Sequence, residues 1–271
     1  MFRFTARPRA LTALLGLALA TASLTAAAPA ASAATTSEAK PTIVLVHGAF
    51  ADASSWTGVA RDLQRHGYTV IAPANPLRDL AGDAAYTAAL LKSIKGPIVL
   101  AGHSYGGAVI TNAARDNANV KALVYIAGFL PDTGESAADL AGKYPGSTLG
   151  PTLQEVPLPG GGTDLYVQQA KFHRQFAQDV PSRDAAVMAA TQRPITAAAL
   201  NAPSEAPAWK DIASWTLIPT GDKNIPPAAQ RFMSKRAHAH TVEVKGASHA
   251  VLVSQPEAVA NLIRRAAKSV D

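Results

Sequence analysis

Short apolar runs that each end near a glycine constrain the fold of this chain more than any other feature. The clearest are TIVLVHG at 42–48, PIVLAGH at 97–103, VKALVYIAGF at 120–129 and SWTLIPTG at 214–221. Because these runs are apolar at consecutive rather than alternate positions, they indicate strands buried on both faces, as in parallel sheets. Helical patterns separate them, so the sequence predicts an α/β fold with a mostly parallel, doubly wound sheet.

The remaining elements follow from apolar spacing and from helix-stop residues. Helices are predicted at residues 54–67, 85–94, 106–117, 228–237 and 256–270. Further strands are predicted at residues 68–74 and 240–246. These elements complete the alternation of strand and helix on both sides of one long interruption.

That interruption lies between Phe129 and Ser214, where the sequence shows no convincing strand. Residues 144–162 are rich in Pro and Gly, which predicts loop or short turns. Helices, the first of them capped and amphipathic, are expected at residues 163–180, 182–192 and 196–202. A helical insertion between two sheet strands is expected to cover the carboxyl edge of the sheet as a cap, at roughly residues 131–212.

The first 33 residues have the three parts of a secretory signal peptide. The basic start contains Arg3, Arg7 and Arg9. The apolar part, LTALLGLALA at 11–20, is too short to span a bilayer, and Ala31-Ser32-Ala33 fits the cleavage rule. No Arg-Arg pair is present, so we expect export by the general secretory route to the periplasm or medium. An N-terminal membrane anchor is the alternative interpretation.

The mature chain, residues 34–271, would hold about 240 residues, which suits one α/β domain. Removal of residues 1–33 takes away three arginines and no acidic residue, so the formal net charge falls from +6 to +3. No Lys/Arg stripe remains, so nucleic-acid binding has no support, and no second long apolar run suggests a membrane span. The absence of cysteine excludes a thiol nucleophile and a thiolate metal site.

Ser104 stands in GHSYGG, residues 102–107, at the junction of a predicted buried strand and a predicted helix. Gly-x-Ser-x-Gly alone is weak evidence, but this position is that of a nucleophile elbow. Gly102 and Gly106 leave room for a sharp turn that lifts Ser104 above the sheet. The helix that follows directs its positive N-terminus at the hydroxyl. A glycine turn with a helix-capping serine is the alternative.

A serine hydroxyl needs a general base, and the base needs an orienting acid. His249, in VKGASHAVLVSQP, follows the last predicted strand and precedes the closing helix, where the order Ser–Asp–His places the base. The other histidines are interpreted as structural, for His47 and His103, or as solvated, for His66, His173, His238 and His240. His238 and His240 share a strand face but lack a third ligand, so no metal site is predicted.

Asp222 is the predicted acid of this site. In LIPTGDKNIPP it ends a strand and opens a loop, from which its carboxylate can reach the far nitrogen of His249. Asp132, in IAGFLPD, ends the preceding strand of the sheet and is the alternative.

An oxyanion hole is expected from two backbone N–H groups, one after the nucleophile and one in the loop that follows the first core strand. The first belongs to Tyr105. The second lies in HGAFADASSW, where Ala49 is the first choice and Phe50 the alternative. Main-chain donors place no demand on side chains, so the sequence specifies them least.

Taken together, these segments resemble the α/β-hydrolase superfamily. VHGAFADASSW, GHSYGG, GDKNIPPAAQRFM and VKGASHAVLVSQPEAVANLI look most like the branch of plant methyl-salicylate-type esterases and hydroxynitrile lyases, with their bacterial relatives. The resemblance covers nearly the whole mature chain and is weak only in the cap. It implies an α/β-hydrolase fold, a Ser104–His249–Asp222 triad, a cap-covered acyl site and no cofactor.

Departures from that branch narrow the expected chemistry. The plant lyases carry Thr in the first loop and Lys after the catalytic His, where this chain has Ala49 and Ala250, so cyanohydrin cleavage is disfavoured. Ser104, in place of the Asp of haloalkane dehalogenases, favours acyl transfer.

The expectation is therefore a secreted serine esterase acting on a small neutral ester. A cofactor-free perhydrolase and a ligand-binding protein on a hydrolase fold are the alternatives, and the sequence does not indicate an oligomeric state. Several cap and sheet side chains could line an apolar pocket or form the core of the cap, namely Leu165, Phe172, Phe176, Trp209 and Trp215.

Overall fold

Two sheets organise the chain in the computed structural model, which describes residues 40–205 and 207–270. The strands are β1 (Thr42–Val46), β2 (Val70–Ile71), β3 (Ile98–His103), β4 (Val120–Ile126), β5 (Leu153–Pro157), β6 (Thr163–Val167), β7 (Ile195–Thr196), β8 (Ser214–Pro219) and β9 (His240–Val244). The larger sheet has the order β2-β1-β3-β4-β8-β9, and every neighbouring pair in it is parallel. The predicted signal peptide lies outside the described residues.

Helices separate the strands of the larger sheet. They are α1 (Thr57–Arg65), α2 (Leu80–Ser93), α3 (Tyr105–Ala113), α4 (Ala137–Gly142), α5 (Gln169–Phe176), α6 (Ser182–Thr191), α7 (Ala197–Asn201), α8 (Pro227–Arg236), α9 (Val251–Ser254) and α10 (Pro256–Lys268). Within the described residues, no helix is long and apolar enough to cross a bilayer.

Consecutive residues of the central strands pack on opposite faces of the larger sheet. In β1, Val44 belongs to the core that includes α2, α3 and the cap, whereas Ile43 and Leu45 belong to the core formed with α1 and α10. Because both faces are covered, β3 is buried at every position and β1 is buried from Ile43 onward. The predicted α/β fold with a doubly wound parallel sheet is therefore confirmed, and its carboxyl edge carries the loops discussed below.

The inserted cap contains strands as well as helices, which corrects the helical cap expected from the sequence. β5, β6 and β7 form an antiparallel sheet of three strands, and α5 is confined to Gln169–Phe176. Residues 163–167, TDLYV, place β-branched and aromatic residues in a strand, and tertiary pairing with β5 and β7 overrides the helical pattern.

The glycines at 160–162 form the turn of the β5–β6 hairpin, in agreement with the short turns expected from the sequence. The Leu158 N–H donates to the Gly162 carbonyl over 3.1 Å, and the Gly161 N–H donates to the Leu158 carbonyl over 3.0 Å. Gly161 and Gly162 have φ angles of 90° and 87°, which side chains other than glycine rarely adopt.

A matched pair of glycine substitutions tests this hairpin turn. A Cβ at Gly160 or Gly161 would meet open space, but only Gly161 of the two requires a positive φ. Gly161→Ala is expected to lower the free energy of unfolding by about 1–2 kcal/mol, and Gly160→Ala to leave it unchanged or raise it by up to about 1 kcal/mol. Urea unfolding followed by circular dichroism measures both, and equal effects would contradict the turn.

Candidate active site

Ser104 occupies the sharp turn between β3 and α3. Its backbone has φ 54° and ψ −124°, an arrangement that costs a residue with a side chain about 1–3 kcal/mol. The turn is closed by hydrogen bonds: the Ser104 N–H donates to the Ile126 carbonyl, and the Ser104 carbonyl accepts from the N–H groups of Gly107 and Phe129. The surrounding sheet and helix thus hold the strained residue in place.

Close backbone packing explains the glycines around Ser104. A Cβ on Gly102 would stand 2.5 Å from the Gly106 carbonyl oxygen, and a Cβ on Gly48 would stand 2.7 Å from the Ser104 Cβ. A Cβ on Gly106 would collide with the Val46 carbonyl. Only glycine therefore lets the first loop, β3 and α3 meet beneath the hydroxyl.

The three residues predicted as a triad form one hydrogen-bonded chain. The Ser104 Oγ lies 2.9 Å from His249 Nε2, and His249 Nδ1 lies 2.8 Å from Asp222 Oδ2. Since a carboxylate only accepts, Nδ1–H donates to Asp222, which leaves Nε2 to accept from the Ser104 hydroxyl. All three residues are buried. This is the arrangement in which an imidazole can take a proton from a serine hydroxyl.

Asp222 is held by donors from its own loop and from α8. Its Oδ1 accepts from the N–H groups of Asn224 over 2.8 Å and Ile225 over 3.1 Å, and its Oδ2 also accepts from Gln230 Nε2 over 2.8 Å. The sequence analysis did not single out Gln230, which lies eight residues beyond Asp222. These donors fix the carboxylate opposite the imidazole.

The cap accepts hydrogen bonds from the two residues that flank His249 in its loop. The Ala250 N–H donates to the Phe176 carbonyl over 3.0 Å, and the Ser248 N–H donates to Asp179 Oδ2 over 3.1 Å. The Phe176 ring stands edge-on to the His249 ring, with 4.9 Å between centroids. The end of α5 and the loop after it therefore set the position of the imidazole.

Asp132, the alternative acid, lies in an ion pair elsewhere in the structure. Its Oδ1 is 2.6 Å from Lys210 Nζ and also accepts from the Thr133 N–H. Partial burial raises the pKa of Asp132, but the hydrogen bonds from Lys210 and Thr133 outweigh it and hold that pKa below its ordinary value. The structure places Asp222, and not Asp132, beside His249.

His47 and His103 support the loops around the site, as expected from the sequence. His47 Nδ1–H donates to the Gly48 carbonyl over 2.9 Å, while its Nε2 accepts from the Asn75 N–H. His103 Nε2–H donates to the His249 carbonyl over 2.9 Å. Burial lowers the pKa of both rings, that of His103 further, so both are neutral near pH 7.

The backbone donors predicted for an oxyanion hole differ in their availability. Ala49 and Tyr105 both line the cavity beside Ser104. Tyr105 is the first residue of α3, so its N–H has no acceptor inside the helix. Within residues 40–205 and 207–270, the Ala49 N–H meets no acceptor either. The Phe50 N–H, by contrast, donates to the Arg193 carbonyl over 3.0 Å, which argues against that alternative.

A cavity of about 240 Å³ opens onto Ser104 and His249. Its wall is formed largely by apolar or small residues of the loops and cap: Ala49, Phe50, Phe129, Ala137, Ala138, Ala141, Leu149, Gly150, Leu153, Leu200 and Ile225. The described part of that wall contains no Lys, Arg, Asp or Glu. Three of the alanines come from α4, a short helix that the sequence analysis did not predict.

The side chains suggested for this pocket form core contacts instead. In the described part of the chain, none of Leu165, Phe172, Phe176, Trp209 and Trp215 lines the cavity. Phe172 stacks on Phe176 behind His249, with 4.9 Å between ring centroids, and Trp209 Nε1 donates to the Pro131 carbonyl. Large apolar side chains fill the cap interior, while small residues of α4 leave the space above Ser104 open.

The sequence profile of the alpha/beta hydrolase family matches residues 43–262. The chain belongs to this family. The match spans the larger sheet, the cap and all three members of the hydrogen-bonded chain. In the described residues of this hydrolase, no group of three or more His, Asp or Glu side chains is placed to hold a metal ion.

Similar proteins include enzymes named as esterases. A carbendazim hydrolyzing esterase of Nocardioides sp. (strain SG-4G) is 31% identical over 113 residues, 37% of this chain and 47% of that enzyme. The alpha/beta hydrolase nvfD of Aspergillus novofumigatus (strain IBT 16806) is 26% identical over 249 residues, 84% of this chain and 97% of its own.

The crystal structure of polyneuridine aldehyde esterase superposes with a TM-score of 0.73 at 20% identity, covering 83% of this chain and 98% of that one. At this identity the superposition shows the fold alone. The family match and the named esterase relative confirm the resemblance to hydrolases of the esterase branch.

A buried hydrogen-bonded pair links Tyr105 of this hydrolase to α2. The Tyr105 hydroxyl donates to Asp83 Oδ2 over 2.9 Å, and burial raises the pKa of both groups. Asp83 Oδ1 also accepts from the N–H of Arg78, whose guanidinium pairs with Asp164 of the cap over 2.8 Å. The pair anchors Tyr105, which lines the cavity. The partners lie 22 residues apart (Asp83 and Tyr105) and 86 residues apart (Arg78 and Asp164) in the chain, so no local sequence pattern predicts this network.

Because His47 and His103 are buried and neutral, the free energy of unfolding is expected to fall in mild acid. Their folded pKa values lie below the ordinary value of 6.5, so below that pH the unfolded chain binds protons that the folded chain does not. The free energy of unfolding is expected to be flat above pH 6.5 and to fall below it, with a slope of up to about 2.7 kcal/mol per pH unit for two protons.

Urea unfolding at a series of pH values between about 7.5 and 5 measures this slope. His103→Gln, whose amide can still donate to the His249 carbonyl, is expected to make it shallower. Asp132 and Glu135, whose pKa values are lowered, add a loss only near pH 4 and below. A free energy of unfolding that stays constant from pH 7.5 to 5 would contradict neutral, buried His47 and His103.

Proposed function

We propose that this hydrolase cleaves carboxylic esters through an acyl-enzyme on Ser104. The observation that carries the proposal is the continuous chain from Ser104 Oγ through His249 to Asp222, which opens into an apolar cavity. The esterase names among similar proteins support the same bond type.

The first half of the reaction transfers the acyl group. The Ser104 Oγ attacks the ester carbonyl carbon while His249 Nε2 takes the hydroxyl proton, and Asp222 stabilises the imidazolium that forms. The backbone N–H groups of Ala49 and Tyr105 donate to the oxyanion of the tetrahedral intermediate. As that intermediate collapses, the bond to the alcohol oxygen breaks and His249 gives its proton to the leaving alcohol.

The second half returns the enzyme to its starting state. A water molecule gives a proton to His249 Nε2 and attacks the acyl carbon, and collapse of the new intermediate releases the carboxylic acid. The Ser104 Oγ recovers the proton. The cavity wall carries no charged side chain among its described residues, so we propose small, uncharged esters as substrates.

We also propose that the protein acts outside the cytoplasm, after removal of residues 1–33. The support is the basic, apolar and small-residue pattern of those residues. Expression of the full chain in a bacterium that secretes proteins, followed by N-terminal sequencing of the exported form, tests this. A first residue at or near Ala34 is expected, and an intact N-terminus on a cell-bound protein would contradict it.

Ester hydrolysis is tested with p-nitrophenyl acetate, butyrate, octanoate and palmitate, using the chain from Ala34 onward. Ser104→Ala is expected to lower kcat on the order of 10⁶-fold, because it removes the nucleophile, and Asp222→Asn on the order of 10⁴-fold, because it disturbs the imidazole. Ser93→Ala makes the same substitution on the exposed face of α2 and should leave the rates unchanged.

Hydrolysis should fall off with the longer acyl chains, because the cavity holds only about 240 Å³. Equal background rates for the wild type and Ser104→Ala on all four esters would overturn the proposal. Ligand binding without turnover would then favour a binding protein, and activity that requires peroxide and a carboxylic acid would favour a perhydrolase.

A further inference from the structure

One polar side chain in the cavity wall has no role in the reaction described above. Asn224 is 3% exposed and lines the cavity with Ser104 and His249. Its Oδ1 accepts from Gln175 Nε2 over 2.8 Å, but its Nδ2 meets no acceptor among the described residues. A buried donor without an acceptor destabilises the folded state by about 1–3 kcal/mol, so its presence in the cavity wall needs a physical explanation.

The orientation of the Asn224 amide is determined by its neighbours. Gln175 Nε2 also donates to the Lys223 carbonyl over 2.9 Å, and a carbonyl can only accept. The amino group of Gln175 must therefore face both Lys223 and Asn224, which requires the oxygen of Asn224 on that side. The Asn224 NH₂ is left as the group without a partner.

Asn224 is also fixed relative to the catalytic groups. Its backbone N–H donates to Asp222 Oδ1, so it belongs to the same tight turn that orients His249. Thr148 Oγ1 donates to Gln175 Oε1 over 2.9 Å, which anchors Gln175 from the cap side. The free donor is thus held in place before any substrate arrives, and little ordering entropy is lost when an acceptor binds.

The other buried polar side chains of the cavity wall are already occupied. The Tyr105 hydroxyl is turned to Asp83, and the backbone N–H groups of Ala49 and Tyr105 serve the ester carbonyl in the proposed mechanism. Among the described lining residues, Asn224 is the one whose buried side-chain donor has no acceptor. The acceptor that it suits is therefore an atom of the substrate outside the reacting carbonyl.

We propose that Asn224 Nδ2 donates a hydrogen bond to a second acceptor of the substrate. The substrate class is then an uncharged ester of modest size that carries an additional ether, carbonyl or ring-nitrogen acceptor in its acyl or alcohol part. This inference rests on the proposed ester hydrolysis. An ester without that acceptor leaves the Asn224 NH₂ unpaired, as it is in the free protein, so the site favours the ester that carries the acceptor.

Pairs of esters that differ by one oxygen in place of a methylene test the proposal. On the acyl side they are p-nitrophenyl methoxyacetate against butyrate, 3-methoxypropanoate against pentanoate, and 4-methoxybutanoate against hexanoate. On the alcohol side the pair is 2-methoxyethyl acetate against butyl acetate. For each pair, the kcat/KM of the ether ester is divided by that of its methylene analogue. This ratio is compared between the wild type and Asn224→Leu, so that the intrinsic reactivity of the two esters cancels.

For at least one pair, Asn224→Leu is expected to lower this ratio by about 10- to 100-fold. Damage to the triad alone would slow both members of a pair together and leave the ratio unchanged. Asn224→Asp, which keeps the acceptor for Gln175 and the side-chain shape, is the second variant and should lower the same ratio. Ser147→Ala removes another hydroxyl of the cavity wall and should leave every ratio within about twofold.

Unchanged ratios in active Asn224→Leu and Asn224→Asp enzymes would overturn the role of Asn224, and so would an equal fall in Ser147→Ala. The pair that responds locates the acceptor in the acyl or the alcohol part. Absence of turnover of every ester by the wild type would instead contradict the proposed function, so the two failures are distinguishable.

Discussion

The site depends on the strained backbone of Ser104, which the sheet and α3 hold at a φ of 54°. The strain persists because three glycines let the first loop, β3 and α3 approach to distances that a Cβ would forbid. This packing raises the hydroxyl above the sheet and leaves the first N–H groups of α3 without acceptors inside the helix. Both the proposed nucleophile and one proposed oxyanion donor are consequences of the same turn.

Loops at the carboxyl edge of the sheet complete the site, and the cap holds them. Asp222 is oriented by its own loop and by Gln230. The loop of His249 is held by its backbone N–H groups, which donate to the Phe176 carbonyl and the Asp179 carboxylate. The cap therefore positions His249 as well as covering the cavity. Because one segment does both, changes in the cap that alter substrate range also act on the geometry of His249.

Local signals were enough to predict the larger sheet, its flanking helices and the residues that the structure brings together as Ser104, His249 and Asp222. Ser104 and Asp222 follow the buried strands β3 and β8, whereas His249 follows the more exposed edge strand β9. Each stands next to a turn, and that pattern is visible within about ten residues. Local signals failed where pairing between distant segments decides structure. The antiparallel strands of the cap and the Arg78–Asp164 contact depend on such pairing.

The α/β architecture and the position of the elbow follow from local sequence patterns, because continuous apolar strands and closely spaced glycines have few other ways to pack. Which side chains face the cavity depends instead on how distant segments pack together. Phe172 and Phe176 turn into the cap core, alanines of α4 leave space above Ser104, and Asn224 keeps a free donor there. These outcomes depend on three-dimensional packing and on competition for hydrogen-bond partners, which spacing along the chain does not encode.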